Sequence, residues 1–197
     1  AAVGDHPTNT GILFFCQNPS DYITDATVKC VSYKGTNKVD ILDNYPLIEK
    51  DLISAIEECM LFLRKSLKMN RVIDGAEARD ELEIPEVALR EAVVNALIHR
   101  DYQMRGGRVM IEVYDDRVEI SNPGSLPEGL SEADFGTRSL TRNPNIADLL
   151  IRTPYMERLG TGVQRIKTLL HDHLLPAPKF SFGSHFEVSI ARAFNAV

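Results

Sequence analysis

Hydrophobic and polar positions alternate, then turn helical, then alternate again along this chain. Residues 26–35 (ATVKCVSYKG) place Ala26, Val28 and Cys30 on one face and Thr27 and Lys29 on the other, which predicts a strand. The short apolar run at 10–15 (TGILFF) predicts another, and the turn-rich QNPSDY separates the two. Leu52, Ile56, Cys59, Met60, Leu63 and Leu67 recur at helical spacing, predicting a long helix over about 47–67. Residues 68–84 are polar and interrupted by Gly75. They predict a connection, and with it a boundary between a unit at 1–70 and a unit at 71–197.

The second unit opens on a helix from Pro85 to about His99, with Glu83 and Glu86 near its positive end. Residues 106–124 follow as a hairpin: Val109, Ile111 and Val113, an Asp115-Asp116 turn, then Val118 and Ile120. NPGSLPEGL reads as loop, 143–151 as a short helix with Pro144 in its first turn, and 158–174 as a glycine-containing loop feeding a helix. Residues 185–193 form a closing strand.

The helix at 85–99 holds the chemical question. Leu89, Val93, Ala96 and Leu97 make one apolar stripe. The neighbouring stripe contains Val87, Glu91, Val94, Asn95 and Ile98. Residues four apart stack on a helix, so Glu91 and Asn95 project together from among apolar neighbours. A buried carboxylate without a partner costs several kcal/mol or more. Either Glu91 bonds an arginine and Asn95 a backbone group, or the stripe faces a cavity that receives something polar. His99, one turn further, either lines the same cavity or complements the negative pole of the helix.

Composition narrows the class. A net charge of −6 argues against nucleic-acid binding over the whole surface, while leaving room for a local basic patch at Arg100, Arg105 and Arg108 or at Arg138, Arg142 and Arg152. Three widely spaced cysteines, Cys16, Cys30 and Cys59, have no metal-ligand spacing and predict free thiols in a reducing cytoplasm. His171 and His173 diverge too far on a helix to act as a metal pair. No apolar run approaches the roughly 18 residues of a membrane span. Ala1 in place of methionine, directly before a strand-like run, predicts a fragment of a longer protein.

The order of helix with Glu91 and Asn95, two strands, glycine loop, lid-like segment, Gly160-Thr161-Gly162 and helix resembles the Bergerat-type ATP-binding fold of gyrase B subunits, MutL proteins, heat-shock chaperones and histidine kinases. REAVVNALIHRDY, DRVEISNPGSLPEGL, RNPNIADLL and ERLGTGVQRI together resemble the prokaryotic RecG-like C-terminal ATP-binding family, whose members are described as transcriptional regulators. The preceding segment resembles the end of a Schlafen-type AlbA-like domain, a nucleic-acid binder. The resemblance implies an α+β fold: a Bergerat-type two-layer α/β sandwich, a mixed sheet covered by helices, behind a small N-terminal α/β segment.

It also implies ATP and Mg²⁺ as cofactors. By that resemblance Glu91 would activate water and Asn95 would ligate the magnesium; His99, one turn on, either lies near phosphate or metal or complements the helix end. Gly160, Thr161 and Gly162 receive phosphate, and a glycine turn opening a helix suits an anion. Arg142, with Arg138 and Asn143, falls in the ATP-lid segment. These three either meet phosphates or form a solvated loop in which Asn143 caps the helix behind Pro144.

One departure stands out. The superfamily carries D-x-G-x-G where this chain has Asn122-Pro123-Gly124-Ser125-Leu126. Asn122 thus replaces the adenine-binding Asp, and only Gly124 of the two glycines remains. The resemblance implies nucleotide as a partner, DNA engaged through flanking domains, and a homodimer. The rival expectation is a nucleotide-free scaffold of the same fold, serving dimerisation. A helicase motor is excluded, since no G-x-x-x-x-G-K-[ST] loop occurs.

Overall fold

The computed structural model describes residues 2–3, 6–74, 77–138, 140–156 and 162–192. In chain order the elements are β1 (Ala2–Val3), β2 (His6–Pro7), α1 (Asn9–Phe15), β3 (Val28–Lys34), β4 (Asp40–Asn44), α2 (Leu52–Ser66), β5 (Met69–Asp74), β6 (Glu77–Leu82), α3 (Glu86–His99), β7 (Val109–Val113), β8 (Arg117–Pro123), α4 (Pro144–Leu150), α5 (Gly162–Asp172), β9 (Lys179–Ser181) and β10 (His185–Ala191). Six strands form a mixed sheet in the order β4-β3-β7-β8-β10-β9. β3 and β7 run parallel; the other neighbours are antiparallel. The α+β expectation therefore holds, as a two-layer sandwich with helices against a mixed sheet.

The sheet's inner face follows from the period-two pattern. Cys30, Ile111, Ile120 and Val188 lie side by side across β3, β7, β8 and β10, all buried. Val113, Val118 and Ile190 form a second buried row. Against these rows pack α2, through Ile56, Cys59, Met60 and Leu63, and α3, which is buried nearly all round; α5 packs on α3. The opposite face carries Tyr33, Glu112, Glu119 and Glu187. There Lys38 pairs with Glu112 and Arg117 with Glu119.

Strands from both sides of residue 70 share this one sheet, because β3 pairs with β7. The segment expected as a connection at 68–84 is instead the hairpin β5–β6, in register from Met69↔Leu82 to Asp74↔Glu77. Its residues are mostly polar, so no apolar alternation marks it as a strand.

The run at 10–15 is the helix α1 and not a strand. The Thr8 hydroxyl accepts from the Gly11 N–H at 3.1 Å and fixes the first turn, a cap that outweighs the ambiguity of a short apolar run. Helix α2 begins at Leu52, not 47. Asp51 caps it, accepting from the N–H groups of Ile53 and Ser54, and the preceding Ile48 bridges in extended form to Val28. Edge strand β9 is only three residues long and edge strand β4 (DILDN) lacks apolar alternation, so neither is read from the sequence. Cys30 and Cys59 are buried free thiols and Cys16 is half-buried.

Where the hairpin β5–β6 returns toward α3, Glu83 accepts from the Lys68 N–H at 2.9 Å and from Arg192 at 2.8 and 3.0 Å. Arg192 also donates to the Tyr114 carbonyl. The two charged side chains are 3% and 9% exposed, so each needs the other. Removing one partner of a buried ion pair costs about 3–5 kcal/mol, whereas an exposed pair is worth at most about 1 kcal/mol. Glu83→Ala should therefore lower the unfolding free energy in urea by about 3 kcal/mol or more. Lys65→Ala, which breaks the exposed pair with Asp43, should change it by less than about 1 kcal/mol.

Candidate functional site

Helix α3 follows Pro85, and its exposed start is held by Glu86, paired with both Arg64 and Arg90. Glu91 and Asn95 are half-buried on a helix whose other inward residues are apolar. They project together: the Asn95 Nδ2 lies 3.4 Å from the Glu91 Oε1. Because the amide nitrogen faces the carboxylate, the Asn95 carbonyl oxygen is left as an acceptor.

The first residue of α5, Gly162, sits directly on this pair. A Cβ built there would lie 2.1 Å from the Glu91 Oε1 and 3.1 Å from the Asn95 Nδ2. The missing side chain lets the carboxylate reach the positive end of an 11-residue helix; a larger residue would have to displace it. Gly160 and Thr161 lie outside the described residues.

Glu91, Asn95, His99, Asn122 and Gly162 line a cavity of about 120 Å³ between α3, the end of β8, the segment following it, and α5. Asn122 comes from the last turn of the inner-face alternation on β8 and is 1% exposed. Its Nδ2 donates to the Pro123 carbonyl at 3.2 Å, and its Oδ1 is buried without a partner. A buried acceptor left unmatched costs about 1–3 kcal/mol, so this oxygen marks a place where a donor would be gained.

His99 also lines the cavity. Burial, reinforced by the nearby Arg142 charge, pushes its pKa down to about 4, and its Nδ1 is buried without a partner. The ring is therefore neutral at pH 7.

Two expected site residues are placed elsewhere. Arg142 is not at the cavity wall: its Nη2 donates to the Ser125 carbonyl at 2.8 Å and its Nη1 faces Asp101 at 3.4 Å, pinning the loop after β8. Gly124 shapes that same loop. Its φ of +110° and the close approach of the Asp101 Cβ, 3.0 Å from a built Cβ, exclude a side chain, and its N–H donates to the Ser184 carbonyl.

Asn143 does not cap α4 with its side chain. Its Nδ2 reaches across to the carbonyls of Ile98 and Arg100, at 2.7 and 2.8 Å, and satisfies the end of α3 instead. Arg100, expected in a surface patch, is 1% exposed. It donates to the carbonyls of Asp25 and Gly107 and stacks 4.7 Å over Tyr102. Arg138 lines the cavity and lies 3.8 Å from Asp134. His171 and His173 are exposed, and among the described residues no group of three or more His, Cys, Asp or Glu is arranged to hold a metal.

The sequence reading missed an aromatic wall. Phe135, from the segment after β8, together with Phe180 and Phe186, lines the cavity. The crowded KFSFGSHF stretch was the available signal, but nothing in the sequence tied it to Phe135.

A histidine whose folded pKa lies below its ordinary value of 6.5 favours the deprotonated fold. Its contribution is complete above about pH 6.5 and is lost as pH falls toward about 4. Stability should fall across that window with a slope approaching about 1.4 kcal/mol per pH unit. His99→Gln should flatten the slope, as read from urea midpoints at successive pH values.

Residues 106–190 match the family described as "Putative ATP-dependent DNA helicase recG C-terminal", a match that begins after α3. No curated protein matches the chain. Among solved structures, the DIP2311 protein from Corynebacterium diphtheriae is similar in fold, with a TM-score of 0.79 and 23% sequence identity over 93% of this chain. The chain spans 37% of that protein's length. No helix among the described residues is long and apolar enough to cross a membrane. Residues 106–190 are thus similar to the RecG C-terminal ATPase-like family, within a chain whose fold resembles that of the DIP2311 protein.

Proposed function

We propose that this chain is an ATP-binding module that hydrolyses its nucleotide slowly in the presence of Mg²⁺ and serves a DNA-associated transcriptional regulator. The observation that carries the reading is the seat of Gly162 on Glu91 and Asn95, which sets a carboxylate, an amide and a helix N-terminus on one cavity wall. The residues fit the groups they would hold. Asn95 keeps a carbonyl oxygen for a hard cation, and Asn122 keeps a buried acceptor for an exocyclic amino group. Bound magnesium would neutralise charge on the phosphates.

In this reading Glu91 orients a water and takes its proton as the water oxygen bonds to the terminal phosphorus and the bond to the bridging oxygen breaks, releasing ADP. The N–H groups opening α5 and the guanidinium of Arg138, which lines the cavity, would offset charge on the transferred group. His99, neutral and buried, would donate or accept one hydrogen bond without adding charge. With a net charge of −6, the chain would engage DNA through flanking domains rather than its own surface, and nucleotide would act as a clamp between two copies.

A nucleotide-free scaffold is the second reading. Asn122 and Pro123 favour it: the amide lacks the charge that strengthens an acceptor, and proline removes a donor.

Thermal unfolding distinguishes the two. Millimolar ATP with Mg²⁺ should raise the melting temperature by mass action, and Asn95→Ala should abolish the rise. Glu91→Ala should keep the rise and lose phosphate release. No shift with wild-type protein would leave the scaffold.

Gly162→Ala supplies a separate check. The atom in its way is the tip of a flexible carboxylate, so the fold should lose only about 1 kcal/mol while the displaced Glu91 halts hydrolysis.

A further inference from the structure

Four phenylalanines from three stretches of chain meet at one side of the cavity. Phe135, from the segment that follows β8, has ring centroids 5.0 Å from Phe180, 5.0 Å from Phe182 and 5.5 Å from Phe186. Its contacts with Phe180 and Phe182 are edge-on, at 62° and 68°. All four rings are half-buried, and Phe135, Phe180 and Phe186 line the cavity. Nothing in the phosphate chemistry above uses them. A fold gains nothing from leaving three aromatic rings partly uncovered beside a cavity, since each square ångström left wet forfeits about 25 cal/mol.

Two further contacts place this wall beside groups that recognise a ligand. In the pairing of β10 with β8, Phe186 stands directly opposite Asn122, whose buried amide oxygen has no partner. Gly136, next to Phe135, is seated on α5: a Cβ there would meet the Val163 Cγ1 at 3.1 Å, and its carbonyl accepts from the Gln164 Nε2 at 3.1 Å. Val163 and Gln164 directly follow Gly162. The aromatic wall thus abuts both the orphaned amide on β8 and the helix start that reaches Glu91.

We propose that Phe135, with Phe180 and Phe186, forms the wall that receives the flat ring of the ligand, and that Phe135 makes the site select a nucleoside triphosphate over a bare polyphosphate. This rests on the ATP-binding reading above and adds to it the residue that distinguishes the base-bearing ligand. Aromatic rings stack on any nucleobase through its π-face, and each such stack is worth enough to change affinity about tenfold. The neighbouring Asn122 oxygen then favours bases that present an amino hydrogen.

The test compares ATP with inorganic tripolyphosphate, each with Mg²⁺, by calorimetric titration of the whole chain. Wild-type protein should bind ATP about tenfold or more tightly than tripolyphosphate. Phe135→Leu keeps an apolar side chain but no ring. It should lose most of that preference by weakening ATP alone. Phe182→Ala removes a ring that touches Phe135 and Phe186 without lining the cavity, so it should lower the melting temperature and keep the preference. Equal wild-type affinities for the two ligands would overturn the aromatic wall. So would a Phe135→Leu protein that binds ATP like wild type, or one that weakens both ligands in proportion. Wild-type protein binding neither ligand would overturn the ATP reading itself, and this inference with it.

Discussion

The start of α5 lies so close to α3 that a side chain there would have to displace the Glu91 carboxylate. Gly162 occupies the space where a Cβ would fall 2.1 Å from the Glu91 carboxylate. That contact brings the positive end of α5 to the charge on α3. It also explains why a mostly buried helix tolerates a carboxylate and an amide at adjacent turns: they look toward a cavity and a helix N-terminus.

Around this contact the molecule commits its polar groups to holding α3 in place. Asn143 satisfies two carbonyls at the end of α3, Arg142 ties the loop after β8 to Asp101, and Gly124 lets that loop turn where a side chain would strike Asp101. The buried Glu83–Arg192 pair locks the entry to α3 onto the residue that follows β10, the strand of Phe186 and Val188. The helix bearing Glu91 is thus braced at both ends by hydrogen bonds that involve the sheet and the segments leaving it.

Much of this was legible from residues. The E-x-x-x-N spacing on an apolar helix placed Glu91 and Asn95 side by side, and the glycine opening α5 was expected beside them. The hairpin β7–β8 followed from strict alternation. What could not be read had local causes. TGILFF satisfies both a strand and a helix, and a single hydroxyl at Thr8 decides between them. The sequence of the hairpin β5–β6 mixes polar and apolar residues without alternation, so it has no periodic signature. Asn143 carries the residue type of a helix cap, yet its amide reaches carbonyls forty-odd residues away, a choice only the tertiary fold can make. Arg100 looked like a surface cation because arginine usually is one; three contacts hold it inside. The phenylalanine wall joins residues about fifty apart in sequence, beyond the reach of any local pattern.

The parallel pairing of β3 with β7 has a consequence for how the chain reaches this state. Val28 and Val109 meet although about eighty residues separate them, while β7 pairs with β8, and β5 with β6, over short separations in sequence. Closing so long a loop costs entropy that local hairpins avoid, and ordering is slowest where contacts are most distant in sequence. The hairpins and α3 are therefore the natural early structures, with β3 docking late along an edge that must stay open until then. During that interval the unpaired side of β7 is the exposed template most prone to pairing between chains.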